Sequence, residues 1–552
     1  MRLSRREFTG GALSVALGAQ LPAPAIAQGS PRVANALEAI RAYAEAHRTY
    51  WGLPGLTLGL SLPDGSGTTL NFGFANAEAR TPIAGETLFQ IGSISKVMSA
   101  ALIHQLASEG RLRLTDRVSD LLPAIALPVG NAIQVQHLLD HVAGLPGNAP
   151  LFPAGGLWTA YAPGAHWHYS NTGYEMLGKL AEHVGAKPLG ELLRERILAP
   201  LGMRNSRGAI LGADRTLYAQ GYESADTTVP FARNVPLAPA AWVDVTFAAG
   251  SVASTADDMT RFLRSLAGAV QGRGGLGLSP ELGRSLTARA VPSDTVGMKY
   301  GNGLMHVGHA GRSYLHHTGG MVGFSSSFHL DAASGVGAFA SSTIFYGAEY
   351  RPRLITQFAV DALTDALAGR PLPPPPPLDL AFANAAAYLG RYAGPDGAFE
   401  VRAGDPLTIV TSSGSAPLQP WGGDIFRTTH PAFRRFSLKF ERTRGAVAGA
   451  SWGPSRFLRH GSSAQLPASD PALRRLAGRY ISDNPWYGAA PVVERGGRLW
   501  IGTDTAMTRL GENLWRVGDE AWSPERASFA DFIDGRPQTF VLSGEKFARH
   551  DI

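Results

Sequence analysis

The sequence predicts an α+β body followed by two small antiparallel β-barrels. Three observations predict it. Residues 33–50 repeat apolar side chains (Val33, Leu37, Ile40, Tyr43, Ala44) at helical spacing, and residues 55–74 read as a hairpin around the turn 63–67. A proline run at 371–377 follows the last helical pattern; it cannot continue a helix and acts as a stiff extended spacer. Beyond it, short alternating segments with frequent turns replace helical periodicity. There Leu389-Gly390-Arg391-Tyr392 returns as Ala477-Gly478-Arg479-Tyr480, 88 positions later. Two copies suit paired units of about 85 residues, since a solenoid needs three or more; a chance match of so short a motif is the other reading.

The elements follow in order. Residues 1–27 form an address: Ser4-Arg5-Arg6-Glu7-Phe8, a weakly apolar run over 10–21, and a small-residue end at Ala25-Ile26-Ala27. The paired arginines resemble a twin-arginine export signal, which places the mature protein in the periplasm or outside the cell. About a dozen apolar residues cannot cross a bilayer that needs about 20, so no stable membrane anchor is expected. The body is assigned to 28–370, the proline-rich linker to 371–377, and the two barrels to 378–467 and 468–552. Within the body a mostly helical middle closes with strand-like runs at 326–330 and 336–342 and a helix at about 354–367.

Composition narrows the chemistry. The 552 residues include no cysteine, which removes disulfides, thiolate metal sites, iron–sulfur clusters and thiol nucleophiles together. Only six of the 50 basic residues are lysines. The net charge of +6 falls to +4 once residues 1–27 are set aside, and the arginines are scattered near acids. No stripe or motif for nucleic acid emerges. Gly272-x-Gly274-x-x-Gly277 follows a helix rather than a strand and reads as a loop, not a dinucleotide site. No cofactor is expected.

Ser93 and Lys96 lie three apart at the start of an Ala/Leu-rich helix, so they share a face about 5–6 Å apart at Cβ. A serine hydroxyl needs a base to take its proton. A lysine can be that base if burial or a neighbouring cation lowers its pKa, and Ile91, Ile94, Val97 and Met98 predict burial. The same run also fits a helix cap beside a solvated lysine. Ser543-Gly544-Glu545-Lys546 has the same spacing but sits at a β turn with no helix after it. Two further runs favour catalysis. His168-Tyr169-Ser170-Asn171 offers a tyrosine able to relay a proton and an amide two residues on. His316-His317-Thr318-Gly319-Gly320 supplies polar groups and strand-edge glycines that let a substrate approach the backbone. Tyr300-Gly301-Asn302 repeats the tyrosine–asparagine spacing and reads as the start of a strand with turn glycines.

Ser93-x-x-Lys96, Tyr169-x-Asn171 and His317-Thr318-Gly319, in that order, resemble the three motifs of the penicillin-binding, serine β-lactamase-like hydrolases. The runs 137–146 and 249–258 resemble other landmarks of that family, and the resemblance covers about residues 33–368. It implies a β-lactamase/transpeptidase-like body, a helical part beside an antiparallel sheet flanked by helices, with the site at their junction. It implies that Ser93 attacks a carbonyl and is acylated, with Lys96 as proton acceptor, Tyr169 as shuttle and Asn171 orienting Lys96 or substrate. The N–H groups of Ser93 and Gly320 would form the oxyanion hole, with Thr318 and Gly319 beside the substrate.

His317 departs from the lysine that penicillin-recognising members carry there to engage a carboxylate. A His-x-Gly motif resembles the D-aminopeptidase and esterase branches, and a tail of two lipocalin-like barrels resembles the D-aminopeptidase architecture. The expected activity is D-stereospecific aminopeptidase or amidase action on small molecules or short peptides. A broad carboxylesterase is the alternative, and a non-catalytic penicillin-binding or sensor protein the reading from another class. His166, His168, His316 and His317 do not suggest a metal site, because no carboxylate or cysteine sits at ligand spacing. His141 is read as structural and His166 and His168 as packing or hydrogen-bonding residues beside Trp167.

Overall fold

The computed structural model describes residues 30–550 apart from 129–131, 154, 346–351, 380–381, 383 and 467, so the export address lies outside the described residues. Helix α1 (Pro31–Trp51) begins at Ser30, whose hydroxyl accepts from Arg32 N, and ends at Gly52 in the left-handed region. It buries Val33, Ala36, Ile40, Tyr43, Ala44, His47 and Trp51, the face that the spacing predicts with Leu37 displaced to its edge.

Strands β1 (Gly55–Ser61) and β2 (Gly67–Asn76) form the expected hairpin. The central sheet also contains β3 (Thr81–Pro82), β4 (Val291–Pro292), β5 (Met298–Gly301), β6 (Leu304–His309), β7 (Arg312–Met321), β8 (Phe324–Asp331) and β9 (Gly337–Ser342). Their antiparallel order is β3-β2-β1-β9-β8-β7-β6-β5-β4, so β1 pairs with β9 from the far end of the body. Helix α1 and α5 (Arg353–Leu367) cover one face through Ile40, Tyr43, Leu58, Ala338, Phe358 and Leu363. On the other face lie α2 (Ser95–Ser108), α3 (Asn171–Gly185) and α4 (Ala256–Val270), whose apolar side chains join Phe328 and Phe339 of the sheet. Helix α2 is buried on every side from Ser95 to Leu106, the condition of a helix at the centre of a core.

The tail contains two antiparallel units. Nine strands between Gly390 and Arg459 form a nearly closed sheet whose edge strands, Gly414–Pro417 and Gln419–Pro420, are separated only by Leu418. Eight strands between Gly478 and Arg549 close into a barrel.

The internal repeat has a structural meaning. Tyr392 and Tyr480 are fully buried in the first strand of each unit, and each hydroxyl donates four residues back, to Tyr388 O (2.7 Å) and Leu476 O (2.8 Å). Arg459 Nη2 donates to Leu389 O and Arg549 Nη2 to Ala477 O. His460 N and His550 N donate to Arg391 O and Arg479 O. The repeated residues thus close each unit onto its last strand. No helix among the described residues is long and apolar enough to cross a membrane.

Candidate active site

Ser93 sits in a single 3-10 turn (Gly92–Ile94) that runs directly into α2. Three bonds tie that helix to the segment before α4: Ser99 Oγ donates to Ala248 O (2.8 Å), Lys96 Nζ to Ala249 O (2.9 Å), and Val252 N to Ser95 Oγ (3.0 Å). Lys96 is fully buried. Its Nζ reaches three neutral oxygens: Ala249 O, Asn171 Oδ1 at 2.7 Å and Ser93 Oγ at 3.0 Å. An ammonium has three donors for these oxygens. A neutral amine has two N–H groups, which the carbonyl and the amide occupy, leaving its lone pair facing the Ser93 hydroxyl.

The tyrosine segment is fixed from beneath. Ser170 N donates to His141 Nδ1 (3.1 Å), and Ser170 Oγ donates to Pro146 O (2.7 Å) while accepting from Gly173 N to cap α3. Asn171 N donates to Gly147 O (2.7 Å), and its side-chain Nδ2 to Asn148 Oδ1 (2.7 Å). The Tyr169 ring lies 4.8 Å from Lys96 Nζ and 4.4 Å from the His141 ring. His141, at φ 60°, is fully enclosed with Trp167, Tyr174 and Tyr300 around it. Burial first, then the nearby Lys96 charge, holds His141 far below the usual histidine range, so it stays neutral and structural. Burial likewise pushes the Tyr174 and Tyr300 phenols far up.

Strand β7 brings the third motif against the nucleophile turn. A Cβ on Gly319 would stand 1.9 Å from Ile91 O, and one on Gly92 would stand 2.8 Å from Gly320 N. Glycine is required on both sides of this contact. Ser93, Tyr169, Asn171 and Gly320 line one cavity of about 680 Å³, with Lys96 buried behind Ser93. His317, Thr318 and Gly319 do not line it. His317 is fully buried, its Nε2 3.2 Å from the Tyr300 hydroxyl and its Nδ1 2.6 Å from Thr318 O. In this arrangement the histidine supports the Tyr169–Tyr300 side of the site rather than offering its ring to a substrate.

The resemblance implies that a tail loop helps shape the substrate site, but the sequence does not single out which residues do so. Asn484, Pro485, Trp486, Tyr487 and Glu545 of the second barrel line the same cavity, as do Glu175 and Glu223 of the body. Burial raises the carboxyls of Glu175 and Glu223 above the usual range. The available signal was Pro485-Trp486-Tyr487, an aromatic pair in a turn with no strand pattern around it. The second S-x-x-K run does form a turn, at 543–544, and it borders the site through Glu545 rather than through a nucleophile. His166 stacks on Trp522 (centroids 4.8 Å apart) and His168 Nε2 lies 2.9 Å from Glu525 Oε1, both barrel residues. A larger cleft of about 1010 Å³ beside Arg207, Arg215 and Trp242 is lined by none of Ser93, Lys96, Tyr169 and Asn171.

The Beta-lactamase family model matches residues 41–361. The chain is 32% identical over 181 residues to a beta-lactamase of Pseudomonas fluorescens, covering 30% of this chain and 50% of that one. It is 30% identical over 178 residues to penicillin-binding protein 4 of Amycolatopsis lactamdurans, covering 29% and 46%. The chain thus spans about half the length of these curated relatives. Among solved structures, the octameric penicillin-binding protein homologue from Pyrococcus abyssi aligns at a TM-score of 0.55 and 23% identity, over 77% of this chain and all of that one. A D-amino acid amidase from Ochrobactrum anthropi SV3, complexed with D-phenylalanine, aligns at 0.50 and 24% identity, over 61% and 99%. These likenesses establish the fold.

Proposed function

Because the chain belongs to the Beta-lactamase family, we propose that it is an exported serine hydrolase that forms an acyl-enzyme on Ser93 and acts on amides or short peptides bearing a free amine, with D-stereospecificity. The observation that carries this reading is the charge of the cavity. Glu175, Glu223 and Glu545 line it, and no lysine or arginine does so among the described residues. A substrate ammonium is attracted to such a wall, whereas the carboxylate of a penicillin is repelled by it. The absence of lysine from the His317 position points the same way, and the Ochrobactrum amidase fold is consistent with it.

The geometry supports a stepwise route. Neutral Lys96 takes the Ser93 proton as Oγ attacks the carbonyl carbon, and the oxyanion forms between the N–H groups of Ser93 and Gly320. Oxyanion-hole donors are each worth about 3–4 kcal/mol of transition-state stabilisation. Tyr169, whose ring faces Lys96, passes the proton to the leaving amine. Water then attacks the ester, and the proton returns by the same groups. The apolar wall of Phe231, Phe247 and Trp486 favours a second reading, a carboxylesterase that holds an apolar acyl group.

Mature protein assayed on D-alanine anilide, its L-isomer, a nitrophenyl ester and a chromogenic cephalosporin separates these readings. The D-anilide should be the preferred amide. Preference for the L-anilide or turnover of the ester alone refutes the D-aminopeptidase assignment, and activity retained in Ser93→Ala refutes the mechanism.

A further inference from the structure

Three neighbouring residues of the second barrel grip the segment that carries Tyr169. Trp522 stacks on His166, Pro524 O accepts from Trp158 Nε1 (2.7 Å), and Glu525 reaches inward. Glu525 Oε1 accepts from Gly147 N at 2.6 Å and lies 2.9 Å from His168 Nε2, while Oε2 accepts from the Ser543 hydroxyl. Burial alone would raise this carboxyl, but the bonds from His168, Ser543 and Gly147 N outweigh it and hold the group below the usual carboxylate range. A charged acceptor is therefore maintained at the domain boundary.

The residues it holds are those that hold the site. Gly147 gives its N–H to Glu525 and its carbonyl to Asn171 N. Asn148 takes Asn171 Nδ2 on its side chain and the Tyr487 hydroxyl (3.3 Å) on its carbonyl. His168 immediately precedes Tyr169. Two routes thus run from one carboxylate: through Gly147 to the amide that fixes Lys96, and through His168 to the phenol above Lys96.

We propose that Glu525 is a positioning residue for Tyr169 and Asn171, so that the second barrel completes the geometry of the body's active site. This rests on the reading of Ser93, Lys96, Tyr169 and Asn171 as the catalytic set. Apolar docking alone would not require a carboxylate at this point. The bond network instead sets the distance between the tyrosine segment and the Ser93–Lys96 pair.

The test uses the full chain, with a fluorophosphonate counting reactive serines so that rates are expressed per competent site. Glu525→Ala should lower kcat on a nitrophenyl ester by about 10–100-fold per titrated site with KM little changed, as expected for misplacement of about 1 Å. Glu525→Gln keeps an acceptor for Gly147 N and should recover most of that loss; it also serves if the alanine variant does not fold. Fewer titratable serines at unchanged kcat per site would show a purely structural role and overturn the proposal. So would a Gln variant as slow as Ala. Wild-type protein lacking Ser93-dependent turnover would instead overturn the catalytic reading on which the proposal stands.

Discussion

A methyl group on Gly319 has no room where β7 passes the nucleophile turn. Its Cβ would lie 1.9 Å from Ile91 O, 2.8 Å from Ile91 C and 3.3 Å from Ser93 N. Real Cβ atoms essentially never come within 3.0 Å of another atom, so strand and turn must separate by about 1 Å. The backbone at 319 lies outside the left-handed region, so alanine adds no torsional strain and the effect is purely this separation. The separation opens the gap between Ser93 N and Gly320 N, where donors act at 2.7–3.1 Å from the oxyanion. Loss of one such donor costs about 2.7–4 kcal/mol, or roughly 10²–10³ in kcat. Gly319→Ala should therefore fall into that range on the ester, with ordinary circular dichroism and the same number of serines labelled on prolonged incubation. A folded variant within about threefold of wild type would refute the oxyanion-hole assignment.

Other consequences can be checked with few variants. Tyr392→Phe and Tyr480→Phe each remove one buried hydrogen bond, worth about 1 kcal/mol, from its own unit. Denaturation followed by tryptophan fluorescence should show both losses, but only the Tyr480 change should sensitise turnover to denaturant, because among the described residues of the tail only those of the second barrel border the cavity. Glu175→Gln should raise KM for D-alanine anilide several-fold and leave nitrophenyl acetate unchanged; equal effects on both would remove this carboxylate from amine recognition. The depressed Glu525 carboxyl contributes stability that is present above its unfolded value of about 4.5 and lost as pH falls through its lower folded value. The melting-temperature gap between wild type and Glu525→Gln should be full at pH 7 and shrink below about pH 4. A gap that widens in acid would contradict it.

What the sequence reveals depends on how local the cause is. The hairpin at β1–β2 and helices α1 and α5 are visible through apolar periods of their own, and β8 and β9 as short runs on either side of the turn residues 331–335. Strand β7 is not. Its residues Ser313–Gly320 are polar or glycine for most of their length, and it is held as a strand by β6 and β8 on either side. The four motif residues are legible because short spacings on one helix or one turn fix their chemistry. Glu525, Trp486, Tyr487 and Glu545 are not, since they reach the site only through tertiary packing; Glu525 is 378 positions from Gly147. Half of the tail's repeat is legible as Gly-Arg-Tyr. The other half, Arg459-His460 and Arg549-His550, gains meaning only once each pair is seen closing its unit.

The pairing of β1 with β9 sets an order of events during synthesis. All strands of the body's sheet exist once residue 342 has been made, and domains emerging first from the ribosome fold first. The cavity's outer wall and the carboxylate that grips the tyrosine segment reside at 484–487, 525 and 545. At roughly 5–20 residues per second they arrive roughly 10–40 s later. Through that interval Ser93, Lys96, Tyr169 and Asn171 have all been made, while the residues of the cavity's outer wall are still being translated. The nascent chain thus contains its proposed nucleophile before it contains the residues that complete the cavity around it.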